Sequence, residues 1–400
     1  MNSKTRRLSA VDASRLFADC GELALERYPL SSDDGGGWHS KYVSLECDPF
    51  HHEYIEVTDE TVVHNSHGTD VDDYHYEHEK SSKEAARLLS EKYPESASVL
   101  RAFEASCQDT LEACSTLVAR LLPGCEVSGL LYNSGRSTVL RVRNSDGSEG
   151  AIKFGRTTES DWARARTFIH KLKTTGGNSP IVKVEAIAAL PIDGAEEGAC
   201  VTIAQMPLLK AAFRCRRDNR EGRYHYIANV DRERRPAARY CAAVAMAEAL
   251  AAIHALGYAH LDARPENLLM DGEGRILLGD LDGVRPLADQ YDGHLRTSLQ
   301  YRAPELDRRL PYGADVDVFA WGRTVLYLLT SAPPPGQVTQ DARITRDMSG
   351  SVYLVHDNTG VTLFDSFNYD GILARMAIKA ISTDPQERYP DGAALIAALP

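Results

Sequence analysis

The stretch from His260 to Gly283, HLDARPENLLMDGEGRILLGDLDG, constrains this chain more than any other segment. Asp262 stands five residues before Asn267, and Asp280 stands eighteen residues after Asp262. Two short apolar runs, Leu268 to Met270 and Ile276 to Leu278, flank the turn residues Asp271-Gly272-Glu273-Gly274. Apolar runs separated by Asp and Gly predict a hairpin. Such a hairpin would return Asp280 to the neighbourhood of Asn267. The segment therefore gathers one carboxylate, one amide and a second carboxylate around a single tight turn.

That set suits one kind of chemistry. Phosphoryl transfer asks for little covalent help from a protein. It needs a group to position the nucleophile's proton, ligands for a metal that bridges phosphates, and cations that neutralise charge. Asp262 suits the first role. Asn267 and Asp280 offer hard oxygens suited to Mg²⁺.

Five matches in order, two within this segment and three beyond it, resemble the eukaryotic-type protein kinase family over roughly residues 126–400. His260-Leu261-Asp262 with Asn267 is similar to the family's catalytic loop, which makes Asp262 the catalytic base and Asn267 a magnesium ligand. Arg264 stands where Ser/Thr kinases usually carry a phosphate-contacting lysine. Asp280-Leu281-Asp282 is similar to the Asp-Phe-Gly element, with Asp280 as the main metal ligand. Ala303-Pro304-Glu305 resembles the end of the activation segment, and Asp317 to Gly322 the helix with a buried aspartate that follows. Asp384-Pro385 with Arg388 resembles the closing element, whose arginine pairs with Glu305. Upstream, Ala151-Ile152-Lys153 looks like the strand whose lysine holds the α- and β-phosphates. Val139 and Ala151 would then roof the adenine of ATP and Leu269 would floor it.

The resemblance implies an α+β, bilobal, protein-kinase-like fold. The small β-rich lobe is expected over about 126–206 and the larger helical lobe over about 207–400. The kinase-like domain as a whole covers 122–400. Residues 1–121 are expected to form a separate N-terminal α/β region with a regulatory or docking role. Its cues are helical spacing over 9–28, strand-like alternation over 41–64, a polar loop over 65–80, and helices over 81–122 broken near Pro94. In the small lobe, strands are expected at 129–132, 139–143, 150–154, 181–191 and 199–206, with a helix at 159–173. From about residue 237 the chain reads as mainly helical.

The implied activity is Mg²⁺-dependent transfer of the ATP γ-phosphoryl group to a Ser/Thr hydroxyl of a protein substrate. Two alternatives stand beside it: a pseudokinase acting as a nucleotide-binding scaffold, and a small-molecule kinase of the aminoglycoside-phosphotransferase type. Three departures from the family pattern weigh on the choice. The helix at 159–173 has Ala165 or its neighbours where the family's ion-pair partner of the strand lysine belongs, with Glu159 and Asp161 as substitutes near the helix start. Asp282 replaces the glycine of Asp-Phe-Gly. Leu261 replaces the arginine before the catalytic aspartate, so control through an activation-loop phosphate at Thr297 is not expected. Ser298 matches the hydroxyl position that faces Asp262. In place of the glycine-rich loop, residues 132–139 keep only Gly135.

The remaining features set limits. Net charge is −12, which speaks against a global nucleic-acid or anionic-membrane partner. No apolar run is long enough to span a bilayer, and the first twenty residues lack a signal-type apolar core, so a cytoplasmic protein is expected. Eight scattered cysteines, with no Cys-x-x-Cys pair, read as buried free thiols. Seven of thirteen histidines fall between residues 39 and 78, including His64-x-x-His67 and His75-x-x-His78. They are read as a solvated loop in preference to a metal site. The arginine-rich segment 210–239 is read as a solvated insert, with an acidic partner as the alternative.

Overall fold

The computed structural model describes residues 7–17, 42–48, 51–57, 62–67, 76–80, 96–133, 136–175, 179–218, 223–228, 235–287, 298, 301–307, 311–330, 343–346, 352–356, 360–364 and 370–400. Contacts divide the chain into two units, residues 1–159 with 185–208, and residues 160–184 with 209–400.

The first unit is built on a five-stranded antiparallel sheet. Its strands are β5 (Glu126–Asn133), β6 (Ser137–Arg143), β7 (Glu149–Thr158), β8 (Glu185–Pro191) and β9 (Ala199–Pro207), in the order β5-β6-β7-β9-β8. Alternation along β6 buries Thr138, Leu140 and Val142 and turns their neighbours the other way. Ile152 and Phe154 of β7 and Val201 and Ile203 of β9 join them in the core. Two helices supply the other side of that core, α1 (Ala10–Arg15) and α2 (Ser96–Leu121). Thr110, Cys114, Leu117 and Val118 are buried on α2 at the spacing of one helical face. Pro123 follows the helix end, as befits a residue that cannot continue it.

Residues 7–17 are tied into the same unit. Ser9 caps α1 by accepting from the Asp12 N–H at 3.0 Å. The Leu8 N–H donates to the Pro191 carbonyl at 3.0 Å, and the Asp193 N–H donates to the Leu8 carbonyl at 2.8 Å. Leu16 and Phe17 lie in the sheet's core, and the Thr138 hydroxyl donates to the Leu16 carbonyl at 2.6 Å. Arg15 pairs with Asp109 on α2. The helical spacing expected over 9–28 appears here as one short helix, and residues 18–28 lie outside the described residues.

Upstream in sequence, β1 (Tyr42–Asp48), β2 (His51–Val57), β3 (Val62–His67) and β4 (Tyr76–Lys80) form an antiparallel meander in that order. The strand-like alternation expected over 41–64 covers β1, β2 and the first half of β3, whose residues 65–67 fall in the expected loop. The fourth falls where a loop is expected, because its polar, charged residues carry no apolar period. Side chains of the histidines between 39 and 78 lie outside the described residues.

The second unit is mainly helical. It holds α3 (Glu159–Thr175, counted from Ser160), α4 (Arg235–Ala255), α5 (Pro304–Asp307), α6 (Asp315–Thr330), α7 (Asp370–Ala380) and α8 (Gly392–Ala398). Trp321 of α6 is fully buried, and its indole N–H donates to the Ala243 carbonyl of α4 at 2.9 Å. Gly322 lets α6 approach α7, since a Cβ there would meet the Ala377 carbonyl at 2.8 Å. The strand β10 (Lys210–Ala211) joins β14 (Leu268–Met270) and β15 (Ile276–Leu278), and β13 (Tyr258–Ala259) pairs with β16 (Arg285–Pro286).

Three features of this unit differ from expectation. The arginine-rich segment forms a hairpin of β11 (Phe213–Asp218) and β12 (Arg223–Ala228), in the register Phe213 with Ala228. A three-stranded sheet of β17 (Arg343–Arg346), β18 (Val352–His356) and β19 (Gly360–Phe364) interrupts the helical stretch. Residues 181–184 are not part of β8. Ile181 instead bridges Leu278 in parallel. Among the described cysteines, Cys114 and Cys200 are buried, whereas Cys241 is exposed and so departs from the buried-thiol reading. Burial pushes the Cys114 thiol up to about 12.

Candidate active site

The hairpin of β14 and β15 pairs Leu268 with Leu278, Leu269 with Leu277 and Met270 with Ile276. Asp271 closes its turn by accepting from the N–H groups of Glu273 and Arg275 at 2.9 and 3.0 Å. The returning strand carries Gly279 past Asn267, where its N–H donates to the Asn267 carbonyl at 2.8 Å. Gly279 is required by the close packing here, since a Cβ would sit 3.2 Å from both Leu269 and Val182. Asp280 follows immediately, so the hairpin brings the amide of Asn267 and the carboxylate of Asp280 to one end.

Asp262 lies beside them. The Asn267 side-chain amide N–H donates to the Asp262 carbonyl at 2.7 Å and to its carboxylate at 3.0 Å. With its nitrogen so engaged, Asn267 keeps its amide oxygen as a donor to a cation. Ser298 donates its hydroxyl to Asp262 Oδ1 at 3.2 Å, and Arg264 donates to the Ser298 hydroxyl. Arg264 also approaches Glu266 at 3.3 Å and Asp262 at 4.0 Å. Burial is the main influence on the Asp262 carboxyl and lifts it above the usual carboxylate range. Arg264 opposes that shift, the nearby charge of Asp280 adds to it, and His260 and Asn267 oppose it. A carboxylate raised in this way is a better proton acceptor for a hydroxyl.

The loop carrying Asp262 is held from below by Asp317 on α6, which is fully buried. Its carboxylate accepts from the backbone N–H groups of His260 at 2.6 Å and Leu261 at 2.8 Å, and contacts His254 Nε2 at 3.0 Å. Burial pushes Asp317 upward, but the His254 and His260 contacts outweigh it and hold the carboxyl below its usual value. Leu261 has φ 67° and Asp280 has φ 57°. These are the two non-glycine residues with positive φ among the described residues, Leu261 just before Asp262 and Asp280 just after Gly279. Left-handed backbone at a residue with a Cβ is strained and persists only where neighbours enforce it. Asp317 is the enforcing partner for Leu261.

Glu305 and Arg388 form the buried pair expected of the closing element. Arg388 meets the two Glu305 oxygens at 2.5 and 2.9 Å and Asp315 at 3.1 Å.

The adenine and phosphate residues expected of the small lobe lie in the first unit. Val139 of β6 and Lys153 of β7 are cross-strand partners. Ala151 stands two residues before Lys153, so all three share the sheet face opposite Leu140, Ile152 and Phe154. Leu269 lies in the second unit with Asp262, Arg264, Asn267 and Asp280. Ala165 of α3 is buried. Of the two acidic substitutes for the helix glutamate, Glu159 is exposed. Asp161 is buried and paired with Arg164 at 2.6 Å and Arg285 at 2.9 Å. Arg285 escapes sequence reasoning because a lone arginine carries no motif. Its signal would have been its place five residues after Asp280. Ser134, Gly135 and Thr297 lie outside the described residues.

This geometry agrees with comparisons against known proteins. Residues 223–390 match the family model of the protein kinase domain. CBL-interacting protein kinase 4 of Oryza sativa subsp. japonica is 38% identical over 97 residues, covering 23% of this chain and 21% of that protein. Serine/threonine-protein kinase PkaB of Streptomyces coelicolor is 35% identical over 137 residues, covering 31% and 33%. Serine/threonine-protein kinase Sgk2 of Homo sapiens is 34% identical over 113 residues, covering 26% and 30%. The chain thus spans a third or less of the length of each of these relatives. The chain carries a divergent protein kinase domain of eukaryotic type, with an α+β kinase-like fold. Among the described residues, no helix is long and apolar enough to cross a membrane.

Proposed function

We propose that this chain is a cytoplasmic Ser/Thr-type protein kinase that transfers the γ-phosphoryl group of ATP to a protein hydroxyl in a Mg²⁺-dependent reaction. The observation that carries the proposal is the junction of Asp262, Asn267 and Ser298. A serine hydroxyl sits 3.2 Å from a half-buried carboxylate, which is the contact an acceptor hydroxyl needs for its proton to be withdrawn. Asn267 and Asp280 would hold the metal through an amide oxygen and a carboxylate, a donor set that suits Mg²⁺ completed by phosphates and water. Bound there, the metal would supply positive charge that offsets the charge developing on the transferred group.

The chain's own residues divide the remaining work. Asp262 accepts the acceptor's proton. Arg264, in contact with Ser298 beside that carboxylate, supplies positive charge for the transferred group. Lys153 is assigned to the α- and β-phosphates, and Val139, Ala151 and Leu269 to the adenine. Residues 1–121 are assigned a regulatory or docking role toward the kinase-like domain at 122–400. The shared core of α1, α2 and the five-stranded sheet supports a coupling of that region to the strand of Lys153. The arginine-rich segment that holds the hairpin of β11 and β12 is read as a solvated insert, with an acidic partner as the alternative that its composition supports.

A nucleotide-binding scaffold without transfer is the second reading. It is favoured by Ala165 in place of the helix glutamate and by the pairing of Asp161 with Arg285 and Arg164. Purified protein with γ-labelled ATP, Mg²⁺ and a generic protein acceptor separates the two. Label recovered on serine or threonine supports the kinase. Nucleotide binding without label transfer supports the scaffold.

A further inference from the structure

Arg285 is among the most enclosed cations of the second unit, with its side chain 4% exposed. Its two terminal nitrogens point to different tasks. Nη2 donates to Asp161 Oδ1 at 2.9 Å. Nη1 faces three successive backbone carbonyls, those of Val284 at 3.2 Å and of Asp282 and Gly283 at 3.5 Å. These carbonyls line the 3₁₀ turn Leu281–Gly283, whose first flanking residue is Asp280 in its left-handed conformation. The turn is closed by the Val284 N–H donating to the Leu281 carbonyl at 3.3 Å. One planar guanidinium therefore gathers the exit of the turn that sets the direction of the Asp280 side chain.

The anchor on the other side is α3. Asp161 lies in its first turn and Phe168 further along packs on Tyr258, ring centroids 5.1 Å apart. Tyr258 and Ala259 are the strand that pairs with Pro286 and Arg285, and that strand runs directly into His260 and Asp262. Asp161 thus fixes Arg285 at the point where the segments carrying the two aspartates lie side by side. Asp280 itself follows a glycine, and Asp282 stands where a more compliant residue would absorb the bend. A strained left-handed aspartate needs a restraint after it as well as before it. On the side before it, Gly279 is held by Asn267 and by His260 Nε2, which contacts its carbonyl at 3.0 Å.

We propose that Arg285, held by Asp161, is a positioning residue that fixes the turn after Asp280 and so aims its carboxylate at the nucleotide-bound Mg²⁺. This inference rests on the kinase reading of the metal site. It gives Asp161 a task in the metal site, which is distinct from the family's lysine–glutamate pair. The guanidinium serves because its fork reaches a carboxylate and several carbonyls at once, which an ammonium does not.

The test is calorimetric affinity for ATP with and without Mg²⁺, using the full chain. In the wild type, Mg²⁺ is expected to tighten ATP binding. Asp161→Asn and Arg285→Met are each expected to cut that enhancement about 10-fold or more, the range seen when partners of metal ligands are lost. Affinity for metal-free ATP should change less than the enhancement does. Arg285→Lys retains the charge, so it keeps the protein folded if Arg285→Met does not, and it is expected to fall between wild type and Asp161→Asn. In an Asp280→Asn background, Asp161→Asn should cause no further loss of enhancement, because its effect passes through Asp280. A purely structural pair would keep the Mg²⁺ enhancement intact or add its loss independently of Asp280, and either result overturns the proposal. A wild-type protein whose ATP affinity ignores Mg²⁺ overturns the metal-site reading and this inference together, whereas an intact wild-type enhancement that survives both variants overturns this inference alone.

Discussion

Removing the guanidinium of Arg388 should damage the second unit more than any other single polar change considered. Its side chain is 0% exposed, and Glu305 and Asp315 are 8% and 18% exposed. Arg388 offers two nitrogens to Glu305, one to Asp315 and its Nε to the Ser382 carbonyl at 2.8 Å, and it lies 5.0 Å from the centre of the Phe319 ring. Arg388→Met keeps most of the apolar stem but strands two carboxylates against each other. Breaking one side of a buried pair costs about 3–5 kcal/mol. For a domain of about 150–250 residues, each kcal/mol moves the melting temperature by roughly 2–4 °C, so a fall of roughly 6–20 °C is expected. The deficit should shrink as pH falls. Burial and Glu305 already raise the Asp315 carboxyl, while Arg388 lowers it, so losing Arg388 leaves a carboxyl that protonates more readily and escapes the repulsion. Urea and thermal unfolding at pH 7.5 and pH 5, on Arg388→Met, Glu305→Gln and the double variant, measure this. The double variant should recover part of the loss, since it removes the repulsion between two carboxylates and leaves only Asp315 without its arginine. A drop of less than about 1 kcal/mol at pH 7.5, the range of exposed pairs, would refute the buried-network argument.

Further outcomes are expected. Asp280→Asn should weaken binding of Mg²⁺-ATP more than that of metal-free ATP, which titration calorimetry in the two conditions measures. Asp262→Asn should raise the melting temperature at neutral pH, because its carboxyl is raised in the fold and its ionised form therefore costs stability above the folded pKa; the gain should fade as pH drops through that value, as melts from pH 8 to pH 4 would record. For the same reason the acid limb of kcat/KM should lie above about pH 4, the ordinary carboxylate range. Phe17→Ala should cost about 3–5 kcal/mol of unfolding free energy, since it empties a buried position in the first unit's core.

The large-lobe motifs are legible in sequence because they are local. Asp262, Asn267 and Asp280 sit within nineteen positions, and their separation is set by one hairpin whose turn residues declare it. Glu305 and Arg388 lie far apart, and only the order of short motifs connects them. What the sequence conceals is tertiary. Nothing in residues 7–17 states that Leu8 would bridge Ile192 or that Phe17 would join the core of a sheet more than a hundred residues later. The short helix there has the spacing of an amphipathic segment, but its partner is unspecified. The last two strands of the sheet at 343–364 are readable, since the short apolar runs Val352 to Val355 and Val361 to Phe364 flank the residues Asp-Asn-Thr-Gly, a composition that favours a hairpin. The helical texture on either side masks them. Arg285 shows the opposite case, a functional candidate visible only through the carbonyls and carboxylate that surround it.

The central claim is that Asp262 withdraws the proton of an acceptor hydroxyl during transfer from ATP. Comparison of wild-type and Asp262→Ala proteins under saturating ATP and Mg²⁺, with a generic serine-containing acceptor, tests it most directly. The account predicts measurable transfer by the wild type and a fall of at least roughly 10²-fold in the variant, with its circular dichroism unchanged. Equal rates in the two folded proteins would contradict it.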